Sequence, residues 1–466
     1  MTSDAPPIPE NLLEIFSRFV EARAGLHFPR ARWADLGRAL HAAALEIGCE
    51  NAEQCARLLL SAEANKEMVD QFVSRLTVGE TYFFRDNAAF EALEKRALPE
   101  LIAARRKSSK RLRIWSAGCC TGEEAYSIAI AVSRALPDLA DWHVTILGTD
   151  INPRFLQKAE NGIYSEWSFR GTSEAVRERY FQRSANGCLE IISTIKNLVS
   201  FGCMNLVEDA CPTLLHKTNA MDIIFCRNVL MYFSFEQAKH VAGKLYRSLV
   251  EDGCLFPGGS EASRELFGQF TASTHCGAIV YRKSAGPAPR ESPDINARAG
   301  HPGAAKELRR PRKNPEEAAA PPLMAPQVAS SRNPEALADL ARRLANEGRL
   351  DEALVACDEA VRADKLAAPL HYLRGLILDE NNAREDAETA LKRALFLDQD
   401  FVLAHFALGN LMRRQGQWRS ARRCFKNASD LLRKCDPDAA LPESGGMTAR
   451  RLLAILDATQ DPVATV

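Results

Sequence analysis

The apolar residues of this chain follow three patterns that divide it into regions. Residues 10–76 place apolar residues at helical spacing, which predicts four helices, at 10–25, 31–47, 52–61 and 66–76. In residues 77–283 short apolar runs alternate with amphipathic stretches, as expected of an α/β sheet. Residues 333–460 return to helical spacing. The chain is therefore expected to hold a helical domain, an α/β domain and a second helical domain.

A glycine-containing turn organises the α/β region. Residues 113–126 predict a short buried strand, a tight turn with Gly118 and Gly122, and a helix that runs to about Leu136. Glycines allow a backbone to approach a ligand closely, and the N–H groups of a helix's first turn favour a polar ligand group. The turn lacks the G-x-G-x-x-G spacing, so by itself it is equally compatible with a role in packing.

Two further strands strengthen the prediction of a ligand site. Residues 143–150 predict a strand that ends in Asp150, whose carboxylate could accept hydrogen bonds from both ribose hydroxyls of a nucleoside. Residues 221–228 predict a third apolar strand with a polar end, followed by a helix. Because open α/β sheets bind ligands at the edge where such strand ends meet, the sequence predicts a small cofactor there.

The second helical region contains an internal repeat. Small residues recur every 34 positions, and a larger residue recurs with them. The small ones are Ala341, Gly375 and Gly409, then Ala353, Ala387 and Ala421, then Ala360, Ala394 and Ala428, and the larger ones are Cys357, Leu391 and Phe425. This is the pattern of three tetratricopeptide repeats over residues 334–432, in which small residues let paired helices approach closely. Residues 452–456 could add a capping helix.

Composition narrows the class of protein. The chain has 60 basic and 60 acidic residues, so no overall charge attracts it to nucleic acid or to an anionic membrane. No apolar run reaches about 18 residues, which predicts no membrane insertion. The first residues lack the pattern of a secretory signal, so a cytoplasmic location is expected. The 13 cysteines are scattered without a C-x-x-C pair, which favours reduced core residues over metal ligands.

Residues 284–332 separate the two folded regions. They contain nine prolines and almost no aromatic residues. Such a segment cannot bury enough apolar surface to offset the entropy of ordering, so a disordered linker is expected.

Five motifs of the first 283 residues resemble a known family. They are Val78–Arg85, Trp115–Glu124, Thr149–Ile151, Phe225–Tyr232 and Gly258–Glu261. In this order and spacing they resemble the CheR-type chemotaxis receptor methyltransferases. The resemblance implies a class I S-adenosylmethionine-dependent methyltransferase fold with an N-terminal helical domain (10–76), a catalytic domain (77–283) and a small β insert near 163–205. Two short β-rich runs, residues 189–192 and 197–201, fit the sheet of that insert. The resemblance also implies an enzyme that esterifies glutamate side chains on the cytoplasmic domains of bacterial chemoreceptors.

The resemblance also carries site residues onto this chain. The positions that match the family's cofactor-binding residues are Gly79, Thr81, Arg85, Glu124, Asp150, Asn205, Leu206, Arg227 and Asn228. Arg85 and Tyr232 match residues that the family places near the transferred methyl group, so they are the candidate catalytic pair. Gly259 stands where the family usually has a histidine, so any role of that histidine does not carry over.

The implied chemistry needs alignment more than proton transfer. A glutamate, with a pKa near about 4.3, is already ionised at neutral pH, so it needs no general base to attack a sulfonium methyl group. The enzyme must align oxygen, carbon and sulfur and partly desolvate the nucleophile. Arg85 could hold the carboxylate of the substrate or of the cofactor, and Tyr232 could fix the second carboxylate oxygen. Glu124 could accept from the cofactor's ammonium group or only favour the helix dipole.

Two surfaces are candidates for partner binding. Arg30, Arg32 and Arg38 either form a solvated helix face or contact an acidic receptor stalk, as a basic helix does in the family. The repeats could bind a protein or peptide ligand on their concave surface, with the linker raising the effective concentration.

Two other functions remain compatible with the sequence. The same sheet could methylate the carboxyl group of a small molecule, or the chain could be a catalytically weak scaffold that acts through its repeats. Intact Arg85, Glu124, Asp150 and Tyr232 argue against the scaffold.

Overall fold

The computed structural model describes residues 8–61, 64, 66–184, 187–284 and 333–460. The predicted linker lies outside the described residues except for Ser284, and so does the amino-terminal stretch 1–7. No helix of the described ranges is long and apolar enough to cross a membrane.

Four helices form the amino-terminal domain close to their predicted bounds. They are α1 (Glu10–Ala24), α2 (Trp33–Ile47), α3 (Ala52–Leu60) and α4 (Lys66–Leu76). A 3-10 turn, Arg30–Arg32, occupies the predicted first turn of α2. The helices bury the apolar stripes that predicted them, with Phe16, Leu36, Leu40 and Phe72 in one core.

The described residues of the α/β region form ten strands and seven α-helices. The strands are β1 (Arg111–Ala117), β2 (His143–Asp150), β3 (Ile163–Tyr164), β4 (Phe181–Arg183), β5 (Leu189–Ile191), β6 (Val199–Cys203), β7 (Met221–Cys226), β8 (Leu249–Pro257), β9 (Thr271–His275) and β10 (Ala278–Arg282). The helices are α5 (Asn87–Ala92), α6 (Leu98–Arg105), α7 (Glu123–Ala135), α8 (Pro153–Asn161), α9 (Glu174–Tyr180), α10 (Ser193–Lys196) and α11 (Phe235–Ser248).

Seven strands form one sheet in the order β6-β2-β1-β7-β8-β10-β9. The neighbours from β6 to β8 pair in parallel, and β10 pairs antiparallel with both β8 and β9. Six of the seven residues of β1 and all six of β7 are buried, which explains why these strands appeared as continuous apolar runs. From β1 the chain moves to one side through β2 and β6, and then to the other side through β7 and β8. A switch of this kind opens a crevice at the carboxyl ends of the central strands.

The small β insert differs from its prediction. A three-stranded sheet has the order β3-β5-β4, and β5 falls in one of the two runs expected there. The other run, residues 197–201, instead enters β6, which pairs in parallel with β2 at the edge of the large sheet. Phe201 of β6 packs on Tyr126 of the main core, with ring centroids 5.5 Å apart. A short apolar run does not reveal which sheet it joins, and the prediction assigned this one wrongly.

The carboxyl-terminal region consists of three helix pairs and a further helix. They are α12 (Pro334–Asn346), α13 (Leu350–Ala363), α14 (Ala368–Glu380), α15 (Arg384–Leu397), α16 (Val402–Arg414), α17 (Trp418–Leu432) and α18 (Ala449–Gln460). A Cβ atom on Gly375 would lie 2.7 Å from Leu391, and one on Gly409 would overlap the Phe425 ring. The 34-residue pattern therefore has the packing cause expected of tetratricopeptide repeats.

The repeats pack directly against the catalytic domain. Arg113, near the start of β1, forms a buried ion pair with Glu380 of α14, and Arg111 lies 3.0 Å from the same carboxylate. The sequence suggested a module tethered by a linker, whereas the structure shows a module with a buried contact to the enzyme.

Candidate active site

A cavity opens at the carboxyl ends of the central strands. It encloses about 1040 Å³, counted with the space at its open mouth. The turn after β1, the end of β2 and the segment after β7 form its floor, and residues 76–85 form one wall. Its place at the carboxyl ends of the central strands is where open α/β sheets bind their ligands.

The structure brings most of the predicted site residues together around this cavity. Those that line it are Thr81, Arg85, Glu124, Asp150, Asn205, Leu206, Arg227, Asn228 and Tyr232. Gly79 is not among the lining residues, and a Cβ atom there would lie 2.9 Å from the ring of Phe155, which lines the cavity itself. A side chain at position 79 would therefore press on the Phe155 ring, and the predicted contact of Gly79 with a cofactor stays a prediction.

Asp150 is held rigidly at the end of β2. Its two carboxylate oxygens accept hydrogen bonds from the backbone N–H groups of Cys120 and Asn152, each at 2.9 Å. Burial raises the pKa of this carboxyl group to about 6, although the backbone donors oppose the shift. Within the described residues it forms no ion pair, so hydroxyl donors of a bound ribose would add hydrogen bonds to the ionised form. The site therefore fits the nucleoside part of S-adenosylmethionine.

Glu124 and Arg227 form a largely buried ion pair that lines the same cavity. Glu124 accepts from the Ser116 hydroxyl at 2.8 Å and from Arg227 at 3.3 Å. Burial raises the pKa of Glu124, and the Arg227 guanidinium opposes that shift. Arg227 also donates to the carbonyl of Arg85 at 2.8 Å and to Asp86 at 3.1 Å. Arg227 therefore fixes the frame of the cavity, while Glu124 faces it as an acceptor for a cation.

The side chains of Arg85 and Tyr232 have hydrogen-bonding capacity that the described part of the protein does not use. Both are half-buried and line the cavity. The Arg85 guanidinium donates to the Glu80 carbonyl and has no ion pair with any residue of the described ranges. The Tyr232 hydroxyl likewise has no hydrogen-bond partner in the described part of the chain. A cation and a hydroxyl with unused hydrogen-bonding capacity can together receive a carboxylate.

Asn205 shapes the wall that contains Leu206. Its amide nitrogen donates to the Arg23 carbonyl at 2.7 Å, and its amide oxygen accepts from the N–H of Val207 at 3.0 Å. Its own N–H donates to Asp209 at 2.7 Å. The Asn205 carbonyl also accepts from the N–H of Asp209 at 2.8 Å, so both its side chain and its backbone are used within the protein, and its predicted contact with a cofactor stays a prediction.

Glu261 is a site residue to which the sequence analysis gave no role. Its buried carboxylate accepts from the backbone N–H groups of Gly258, Asn228, Val229 and Met231, at 2.6–3.1 Å. These bonds fix the loop between Asn228 and Tyr232. The signal in the sequence was an acidic residue directly after the Gly-Gly-Ser segment that follows β8. The apolar lining residues Leu26, Phe155 and Phe233 carried no comparable signal.

The adjacent thiols are poor nucleophiles. Burial raises the pKa of Cys120 to about 12 and that of Cys119 well above its ordinary value, so both stay protonated. The cavity is therefore equipped to bind and orient, which suits a displacement that needs no enzyme nucleophile.

Comparisons with known proteins agree with this geometry. A family model described as "CheR methyltransferase, SAM binding domain" matches residues 79–276. Chemotaxis protein methyltransferase 2 of Vibrio cholerae is 34% identical over 227 residues, which are 49% of this chain and 75% of the relative. A chemotaxis protein methyltransferase of Vibrio anguillarum is 32% identical over 57% of this chain and 94% of its own length.

Similarity also extends through the repeats. The probable biofilm formation methyltransferase WspC of Pseudomonas aeruginosa is 28% identical over 431 residues, which are 90% of this chain and 99% of WspC. Among solved structures, the second TPR domain of Spaghetti, bound to an HSP90 peptide, is 21% identical over 22% of this chain and 94% of that chain. Its TM-score is 0.21, so the repeat assignment rests on the helix pairs described above.

Proposed function

The chain belongs to the family of CheR methyltransferases, and we propose that it methylates glutamate side chains on the cytoplasmic domain of a bacterial chemoreceptor. As a member of this family it is an S-adenosylmethionine-dependent methyltransferase of the chemotaxis type. The identity of the methyl acceptor and the cytoplasmic location of the reaction are what we propose beyond family membership.

The observation that carries this proposal is that Arg85 and Tyr232 line the same cavity, each with hydrogen-bonding capacity that no described residue uses. A guanidinium without an ion pair and a hydroxyl without a hydrogen bond line the same cavity as Asp150 and Glu124. A nucleoside held by Asp150 and an ammonium group held by Glu124 would leave these two groups to receive an incoming carboxylate. A glutamate side chain is the carboxylate that a receptor stalk presents.

The residues of the chain would bind and orient the reactants. When bound, S-adenosylmethionine supplies a methyl group whose bond to sulfur breaks as the bond to the carboxylate oxygen forms, leaving a neutral thioether. Arg85 would neutralise and position the incoming carboxylate, and Tyr232 would donate to its second oxygen. Apolar wall residues such as Phe155 would exclude water and so partly desolvate the attacking oxygen.

The amino-terminal helices would supply only a weak docking surface. Arg30 pairs with Glu10 at 2.5 Å, and Arg32 and Arg38 both pair with Asp35. These exposed arginines are thus already matched by acids of their own domain. Because exposed ion pairs are weak, an acidic receptor stalk could replace Glu10 and Asp35 as the partner of these arginines at little cost. The new ion pairs would be weak for the same reason.

A second proposal concerns the pathway. WspC relatives, named for biofilm formation, align over nearly the whole chain, including the repeats. We propose that this chain serves a chemosensory pathway of that kind, distinct from the control of flagellar swimming. The repeats would then contribute to partner choice.

The test is transfer of labelled methyl groups from S-adenosylmethionine to purified receptor cytoplasmic fragments, compared with small carboxylic acids. Labelling of the fragment supports the proposal, and labelling of small acids alone would favour a small-molecule methyltransferase. Absence of S-adenosylmethionine binding by calorimetry would favour a scaffold.

A further inference from the structure

The repeats contact the catalytic domain through residues that are equivalent in each repeat. Ala345, Asp379 and Arg413 lie 34 positions apart near the ends of α12, α14 and α16. The Ala345 carbonyl accepts from Asn219 at 3.1 Å, Asp379 pairs with Lys217 at 2.9 Å, and Arg413 lies 3.5 Å from Glu160. We call these three residues, together with Glu380, the docking face. One face of the repeat array is therefore committed to the enzyme itself.

One of the segments of the catalytic domain that run from this face to the cavity lies between β6 and β7. Residues 205–220 follow β6, and their first two residues line the cavity. Farther along, Leu214 is buried in the core of the first two repeats, among residues such as Ala341 and Leu373. Lys217 and Asn219 complete the contact. We call residues 205–220 the coupling segment because it touches both sites.

A buried ion pair fixes the middle of the coupling segment. Arg451 of α18 donates to both carboxylate oxygens of Asp209, at 2.8 and 2.7 Å. One of those oxygens also accepts the N–H of Asn205 at 2.7 Å. Burial would raise the pKa of Asp209, but Arg451 holds it below its ordinary value. Arg451 of the repeat region is thus linked to the cavity wall through two successive contacts, one between Arg451 and Asp209 and one between Asp209 and Asn205.

We propose that the repeat region positions the methyl-donor cavity, with Arg451 and Asp209 as positioning residues for the Asn205–Leu206 wall. The inference rests on the proposed function, because it assumes that this cavity binds S-adenosylmethionine. In this arrangement the docking face binds the catalytic domain of the same chain, through the coupling segment, β1 and α8. The repeats are therefore an integral wall of the enzyme, and their other faces remain for partners.

The chain offers a matched pair of variants to test this. Arg451→Met removes the pair with Asp209, whereas Arg450→Met removes a similar two-bond pair with Asp438 that lies wholly outside the catalytic domain, at 3.0 and 3.1 Å. Calorimetry with S-adenosylmethionine and steady-state kinetics are compared for full-length proteins. We expect Arg451→Met to raise Kd and KM for S-adenosylmethionine about tenfold, with kcat at saturation little changed, and Arg450→Met to change neither.

Two further variants separate positioning from general loss of stability. Arg451→Lys keeps the charge and is expected to recover part of the affinity. Leu391→Ala weakens the repeat core where Leu391 packs on Gly375 and removes no hydrogen bond or ion pair of the coupling segment, so it is expected to lower the melting temperature while affinity stays near wild type.

The possible failures are distinguishable. If the wild type does not bind S-adenosylmethionine, the proposed function fails. If the wild type binds it and Arg451→Met binds it equally well, or if Leu391→Ala loses as much affinity as Arg451→Met, the positioning role is wrong while the proposed function stands.

Discussion

Asp150 shows how burial at one residue links cofactor binding to pH. Its pKa of about 6 places its ionisation inside the range where an enzyme can be assayed. Only the ionised carboxylate can accept both ribose hydroxyls, so binding should release a proton near this pH. Near pH 8 the affinity for S-adenosylmethionine should not depend on pH. Below pH 6 it should fall with each pH unit, by a factor that approaches about tenfold.

Calorimetry between pH 5 and 8 measures this dependence. The buried Glu124 also has a raised pKa, so the Asp150→Asn variant serves to isolate the contribution of Asp150. That variant should bind more weakly at pH 8 and lose the steep part of the pH profile. A wild-type affinity that does not change with pH would contradict the role of Asp150.

Arg85 and Tyr232 should separate turnover from cofactor affinity. Arg85→Ala is expected to lose most turnover, about a hundredfold or more, because a preorganised cation is removed from the reacting carboxylate. Tyr232→Phe should be milder, because it removes one hydrogen bond. Kinetics and calorimetry are run together, and both variants should melt near wild type because neither side chain is buried. If Arg85→Ala loses cofactor affinity in step with turnover, Arg85 holds the cofactor and not the substrate.

At the scale of elements, the sequence was informative wherever a pattern had one packing cause. The bounds of α1 and α4 and the 34-residue period followed from apolar spacing, and each corresponds to a buried stripe or to a close helix contact. The run at residues 197–201 was assigned to the wrong sheet because strand pairing is decided by distant residues such as Ile146. Glu261 received no role because its four N–H donors come together only in the fold.

The glycines of the repeat helices allow a test of this packing. Gly409→Ala would drive a Cβ atom into the Phe425 ring, and we expect a loss of about 1–3 kcal/mol in the free energy of unfolding. Gly37→Ala in α2 is the control, because its nearest neighbour would be Ile8 at 3.8 Å. Alanine loses less backbone entropy on folding than glycine, so that control should be neutral or more stable by about 0.5–1 kcal/mol. Chemical denaturation measures both, and equal losses would refute the packing argument.

At the scale of the whole molecule, buried ion pairs join the repeats to the enzyme, so we expect the two to unfold as one unit. Glu380 neutralises both Arg111 and Arg113, and burial lowers the pKa of Arg111 to about 10 with Arg113 adding to the shift. Glu380→Gln would leave both arginines without their paired anion, because the nearby Asp222 already pairs with Arg105, and it should cost about 3–5 kcal/mol. This contact could not be predicted from the sequence, because partners 267 positions apart leave no local pattern.

Thermal unfolding tests this claim with a matched surface variant. Glu352→Gln removes an exposed pair with Arg349 and should change the melting temperature little. Glu380→Gln should lower it strongly and split the transition, because the repeats would unfold apart from the catalytic domain. A single unshifted transition would show that the domains are not coupled through Glu380.

The central claim is that this cavity aims a methyl group at a glutamate of another protein. The most direct measurement is mass spectrometry of a receptor cytoplasmic fragment after incubation with the enzyme and S-adenosylmethionine, before and after mild alkali. The account predicts methyl groups on glutamate side chains that alkali removes, and their near absence with Arg85→Ala. Methyl groups that survive alkali, or none on the fragment while S-adenosylmethionine binds, would contradict it.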